Sequence, residues 1–152
     1  MGNGIGDVGQ HRVIPKTSAN KVTPMPQHLH AVALVVPDYD TAISFYVEVL
    51  GFTLAQDTNL GDGKRWVLVT PKGGTTSLLL AKATTAQQTQ AIGQQTGGRV
   101  SFFLHTDNFD ADYADLHAKG LQFCETPRRE PYGKVVVFQD PFGNRWDLLQ
   151  LF

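Results

Sequence analysis

The side chains able to do chemistry in this chain are few and scattered. The five histidines are His11, His28, His30, His105 and His117, the single cysteine is Cys124, and Arg145 and Asp147 flank Trp146 near the C-terminus. There is no Gly-x-Ser-x-Gly elbow and no phosphate-binding loop. Cys124 is a nucleophile only if a base lies beside it; next to Phe123 in an expected strand, it reads as a buried, inert thiol. Asp147 is the candidate catalytic residue, as a general base if it stands in an apolar cleft.

The bulk properties narrow the classes. The 152 residues suit one domain with a real core, and 41% hydrophobic with 18% charged residues is an ordinary globular balance. A formal net charge of −1 asks for neither nucleic acid nor an anionic membrane as partner. No apolar run is long enough to span a bilayer, and the N-terminus lacks a signal-peptide pattern. One cysteine allows no intrachain disulfide, which suits a cytoplasmic location. Residues 1–28 are rich in Gly, Pro and Thr and are expected to form a tail or a docking arm.

Local patterns then supply the elements that must position any site. Leu29 to Val36 is a short apolar, β-branched run, read as a strand. Asp38 and Asp40 are N-cap candidates for a helix over 39–50 bearing Ala42, Ile43, Phe45, Tyr46, Val49 and Leu50, and Gly51 ends it. Strands are expected at Phe52–Gln56, Trp66–Thr70 and Ser77–Ala81, separated by Gly- and Pro-rich turns. Thr84 to Gln95 reads as a short polar helix within a linker over about 83–98. The order then repeats: a strand over Val100–His105, a helix capped by Asp107 carrying Phe109, Tyr113 and Leu116, and strands near Gln122–Thr126, Lys134–Gln139 and Arg145–Gln150. Asp38 and Asp107, Gly51 and Gly120, and Gly74 and Gly143 are each 69 residues apart. The halves 29–82 and 99–152 therefore read as one βαβββ unit used twice within a single domain, 29–152.

Two stretches resemble family signatures. One runs Val36-Pro37-Asp38-Tyr39-Asp40-Thr41-Ala42-Ile43-Ser44-Phe45-Tyr46 and ends in Leu50-Gly51-Phe52. The other is Phe138-Gln139-Asp140-Pro141-Phe142-Gly143-Asn144-Arg145-Trp146-Asp147-Leu148. Both resemble the vicinal oxygen chelate superfamily, the glyoxalase, bleomycin-resistance and extradiol-dioxygenase group. The resemblance implies an α+β fold in which two βαβββ modules form curled mixed sheets around a cleft. It also implies a homodimer, with clefts often completed by the partner chain.

The resemblance further implies a divalent metal held by four His or Glu side chains from the first and last strands of each module. Those positions fall here on Ala31, Leu78 or Leu79, Val100 and Asp147, and three of the four cannot ligate. No metal or other cofactor is therefore expected, with His30, His105 and Asp147 as fallback ligands if one is bound. Strand alternation turns Ala31, Ala33 and Val35, then Val100, Phe102 and Leu104, then Arg145 and Asp147 toward the cleft, with Phe103 under the second helix. Trp66 and Tyr132 are the further aromatic candidates for ligand contact. The cleft so drawn is mostly apolar and suits a small-molecule ligand. The expected function is binding without turnover; the alternative is a metal-dependent lyase, isomerase or dioxygenase with relocated ligands.

Overall fold

Residues 26–152 are described by the computed structural model. The expected arm falls almost wholly outside them. The first strand, β1 (Ala31–Val36), stops at Pro37, and Asp38 in extended backbone starts the first helix. The Asp38 carboxylate accepts from the Thr41 amide and the Thr41 hydroxyl, both at 2.9 Å, which lowers its pKa below the usual range. The helix α1 (Tyr39–Ile43) runs on as a π-helical stretch, Ser44–Val49, closed by the Leu50 amide on the Phe45 carbonyl at 3.1 Å. Two consecutive aromatics of this stretch, Phe45 and Tyr46, are both buried in the core. Gly51, at φ +76°, takes the left-handed conformation that ends the helix.

Strands β2 (Thr53–Gly61), β3 (Lys64–Thr70) and β4 (Ser77–Lys82) complete the first module. β2 outruns its expected end at Gln56 because it forms a long hairpin with β3, bulged at Leu54/Gln56 and again at Asn59/Gly61. Helix α2 (Ala86–Ala91), capped by the Thr85 hydroxyl, lies in the linker. The second module contains β5 (Val100–His105), α3 (Phe109–Ala118), β6 (Gln122–Phe123), β7 (Arg128–Glu130), β8 (Gly133–Gln139) and β9 (Arg145–Leu151).

The strand orders confirm the duplication. The first sheet runs β1-β4-β3-β2 and the second β5-β9-β8-β6, with β7 also on β8. In each, the first strand pairs in parallel with the last, and the remaining pairs are antiparallel. Three local expectations need correction. The cap of α3 falls on Asn108 rather than Asp107, and Asn108 makes no side-chain capping bond. Gln150 of β9 does that work: its Oε1 accepts from the Phe109 amide at 2.9 Å, and its Nε2 donates to the Asp107 carbonyl at 3.0 Å. The strand expected over Gln122–Thr126 is only two residues long, and β7 replaces its far end. Cys124 is consequently exposed rather than buried.

The helix-bearing faces of both sheets share one core. It joins Leu34, Val36, Val67, Val69, Leu78 and Leu80 of the first sheet to Val136, Phe138, Trp146 and Leu148 of the second, with Tyr46, Phe52, Phe109 and Leu116 between them. Trp146 sits 5.8 Å from Tyr46 and 5.9 Å from Phe52, ring to ring, so the modules meet through aromatic contacts. One buried polar node crosses this boundary. The Asp140 Oδ1 accepts from the amides of Phe142 (2.9 Å) and Asn144 (2.8 Å), and Oδ2 accepts from Asn144 Nδ2 (2.7 Å) and the Tyr46 hydroxyl (2.6 Å). Burial, followed by the Asp140 charge, pushes the Tyr46 hydroxyl well above its usual pKa, so it stays a donor at every physiological pH.

The linker docks on the same turn. Gly93 is buried at φ +71°, and a Cβ there would lie 2.2 Å from the Phe142 carbonyl oxygen. Gln95 then satisfies the free edge of β1: its Oε1 accepts from the Val35 amide at 2.7 Å, and its Nε2 donates to the Ala33 carbonyl at 3.1 Å.

Two substitutions test this account. Tyr46→Phe removes one donor from a buried carboxylate and is expected to lower unfolding free energy by about 1–3 kcal/mol, read from urea denaturation. Gly93→Ala meets both a left-handed backbone and a carbonyl oxygen. Its thermal midpoint should fall further than that of Gly97→Ala, where nothing lies within 4 Å of the new Cβ.

Candidate functional site

Because one core takes the helix side of both sheets, each sheet turns a second face away from it. On β1, Leu34 and Val36 are buried in the core, so Ala31, Ala33 and Val35 face outward. Leu79 of β4 pairs with both Ala33 and Leu68, and Trp66, two residues before Leu68 on β3, shares this open face at 37% exposure. These candidates form one apolar surface on the first sheet.

The second sheet departs from expectation. Val100 pairs with Arg145, but the next pair is Phe102 with Trp146, so Ser101 is an extra residue, a β-bulge. One inserted residue inverts every side chain beyond it. Phe102 and Leu104, expected in the cleft, therefore pack on the core beside Trp146 and Leu148, with the Phe102 and Trp146 rings 4.4 Å apart. Phe103, expected under the helix, stands on the open face, 67% exposed. Asp147 and Arg145 keep their outward direction, and Phe103 is the direct neighbour of Asp147 across the parallel pair. Tyr132 is half exposed at the turn between β7 and β8, where its carbonyl accepts from the Phe152 amide. A single chain thus sends Phe102 and Leu104 to the core and splits the other expected cleft residues between the two modules.

Asp147 is the unusual group. It is only 9% exposed, and its Oδ1 is buried with no hydrogen-bond partner. No ion pair joins it to Arg145 among the described residues. Phe103 lies on one side of it and Val137 of β8 on the other. Burial raises its pKa above the usual range; Arg128 pulls it down and Glu125 pushes it up. Arg128 is already engaged, through Nε to Glu125 Oε1 at 2.9 Å and through Nη1 to Glu130 Oε1 at 2.5 Å. A buried polar atom with no partner signals a group that something else must satisfy.

The donor set does not fit the superfamily's metal. Ala31, Leu78 or Leu79, and Val100 offer hydrocarbon, leaving Asp147 alone as a ligand, whereas such sites need at least three protein donors. Nor do the fallback residues gather. His30 precedes β1 in the first sheet, with its ring 6.4 Å from that of His28. His105 shares the Asp147 face but turns Nδ1 toward Asp107 at 3.9 Å. Among the described residues no cluster of three or more His, Cys, Asp or Glu could hold an ion.

A groove of about 380 Å³ lies elsewhere, at the module junction, between Leu50, Phe52, Leu104 and Leu116 and a charged rim. Its acids are largely partnered: Asp112 accepts from Thr106, and Asp115 pairs with Lys119. Among the described residues no helix is long and apolar enough to cross a membrane.

Known proteins share this arrangement. The family model of the Glyoxalase/Bleomycin resistance protein/Dioxygenase superfamily matches residues 28–148. A protein of Shewanella frigidimarina (strain NCIMB 400), described only as uncharacterized, is 50% identical over 129 residues, covering 84% of this chain and 96% of the relative. Among solved structures, TnmS3, an antibiotic binding protein from Streptomyces sp. CB03234, is 33% identical with a TM-score of 0.68, over 84% of this chain and 98% of its own. UcmS2 is 30% identical with a TM-score of 0.71, over 82% and 98%. The duplicated βαβββ modules, their shared strand order and the family match over most of the chain place this protein in the Glyoxalase/Bleomycin resistance protein/Dioxygenase superfamily.

Proposed function

We propose that this protein binds a small, largely apolar ligand against the open faces of its sheets, without a metal and without turnover. The observation that carries this is the open face of the second sheet, where Phe103 stands 67% exposed beside the buried, unpartnered Asp147. Exposed apolar groups beside one convergent polar group are what a small-molecule site needs before its ligand arrives. The hydrocarbon side chains at three of the four family ligand positions argue in the same direction. So does the likeness to an antibiotic binding protein at 33% identity.

The same faces support a homodimer as the working form. Leu60 and Trp66 on the first module, and Phe103, Tyr132, Leu151 and Phe152 on the second, are large hydrophobics left in solvent. Monomeric proteins seldom expose this much apolar surface on sheet faces. A second copy that set its first sheet opposite this chain's second sheet would rebuild the cleft and cover both. Ala31 and Ala33 would leave room there for a ligand lying between Trp66 and Phe103. A cytoplasmic location fits a chain with one exposed thiol and no disulfide.

Three measurements test this reading. Native protein incubated with nickel, zinc, iron or manganese and then desalted should retain well under one metal per chain by mass spectrometry. About one tightly held metal per chain would move the assignment to a metal-dependent lyase, isomerase or dioxygenase. Sedimentation should give twice the chain mass. Phe103→Asp should weaken self-association and abolish thermal stabilisation by apolar aromatic compounds. The melting midpoint of its isolated chain should hold steady, because an exposed side chain contributes little to the core.

A further inference from the structure

The two modules supply an internal control for Asp147. Leu79 is the third residue of β4 and Asp147 the third of β9; β4 lies between β1 and β3, and β9 between β5 and β8. Leu79 pairs in parallel with Ala33, and Asp147 with Phe103. Both point to the open face, and both are largely covered. The fold fills this place with a leucine in one half, so the architecture itself does not call for a carboxylate in the other.

A carboxylate there is costly. It gives up water, and its Oδ1 receives no hydrogen bond in exchange. The charged groups around it relieve this only in part. Arg145 is exposed and unpaired with it, His105 turns toward Asp107, and Arg128, whose attraction outweighs the repulsion from Glu125, is divided between Glu125 and Glu130. Among the described residues this face thus carries an exposed guanidinium, Arg145, and a buried carboxylate, Asp147, and the carboxylate is the one with a buried atom that receives no hydrogen bond. Its one direct cross-strand neighbour on β5, Phe103, offers an exposed aromatic ring.

We propose that Asp147 is the specificity-determining residue of the open-face site, and that the ligand it selects is an organic cation: a protonated amine that pairs with the Asp147 carboxylate while its apolar body lies on Phe103. This rests on the binding reading above and adds the chemical class of the ligand. An ammonium supplies both a hydrogen bond and the opposite charge, and a charge-assisted bond is about twice as strong as a neutral one. An aromatic ring beside the ammonium adds attraction of its own. A neutral ligand of equal shape supplies neither the charge nor the cation–ring attraction.

The test uses two probes of one shape on the full chain: 2-naphthylmethylamine, cationic at pH 7, and 2-naphthylmethanol, neutral. Amide chemical shifts of Phe103, Asp147 and Leu149 locate binding, and titration gives each Kd. The amine is expected to bind about tenfold to a hundredfold more tightly than the alcohol. Asp147→Asn, and Asp147→Leu, which copies the first module, should bring the amine to the level of the alcohol and leave the alcohol within about twofold. Unliganded Asp147→Asn should melt no lower than the parent, since it removes a buried charge with no partner. Equal binding of the two probes, indifferent to Asp147, would overturn the proposal and leave the apolar site standing. If neither probe shifts these amides, both the site and the proposal fall. An Asp147→Asn protein that melts well below the parent would show a structural carboxylate and also overturn the proposal.

Discussion

The carboxylate of Asp140 is the fixed point of this molecule. It is 3% exposed, and a charge so deeply placed is tolerable only when its lone pairs are filled. Three of its four donors come from its own turn, and they dictate the turn's shape: the amides of Phe142 and Asn144 must converge, and the Asn144 side chain must fold back. The fourth donor, the Tyr46 hydroxyl, comes from the other module, 94 residues away in sequence. Satisfying one carboxylate thus sets the position of the first helix against the second sheet. Gly93 brings the linker onto the same turn, where no larger residue fits. Helix, linker and hairpin converge because one buried charge leaves no other arrangement satisfied.

The π-helical turn belongs to the same constraint. Phe45 and Tyr46, about 100° apart on a regular helix, fit within one broad apolar stripe, and both are buried here. They lie in the π-helical stretch, where Phe45 stacks edge-on against Tyr46 at 5.0 Å and the Tyr46 hydroxyl reaches Asp140. The irregularity in the helix is thus tied to the hydrogen bond that joins the modules.

Features governed by neighbours along the chain were legible in the sequence. Pro37 and Asp38 mark a strand end and a cap, Gly51 and Gly120 mark helix ends, and the Asp140–Asn144 turn carries its own donors. Features set by partners far along the chain were not. The cap of α3 depends on Gln150, 41 residues beyond Phe109, and no pattern around Asp107 announces it. The bulge at Ser101 is equally silent, because Val100-Ser101-Phe102-Phe103-Leu104 is apolar at nearly every position and fits either register. The choice is made by Trp146 and Leu148, which need Phe102 and Leu104 beside them in the core. The site was therefore legible on β1 and β9, where apolar and polar residues or small and large ones alternate, and inverted on β5, where they do not.

The bulge also decides what stands beside Asp147. Without Ser101 as an extra residue, Phe102 would face outward and Phe103 would enter the core. Both are phenylalanines, so the composition of the two faces would hardly change. The neighbours would change: His105 would turn from the open face to the core, and Leu104 would take its place outside. An inserted residue in an edge strand, where β5 has no partner on its far side, costs little pairing and re-aims four side chains at once. The Asp140 node holds the sheet while the β5 edge adjusts what it displays, so core packing and surface chemistry are set by separate residues of the same module.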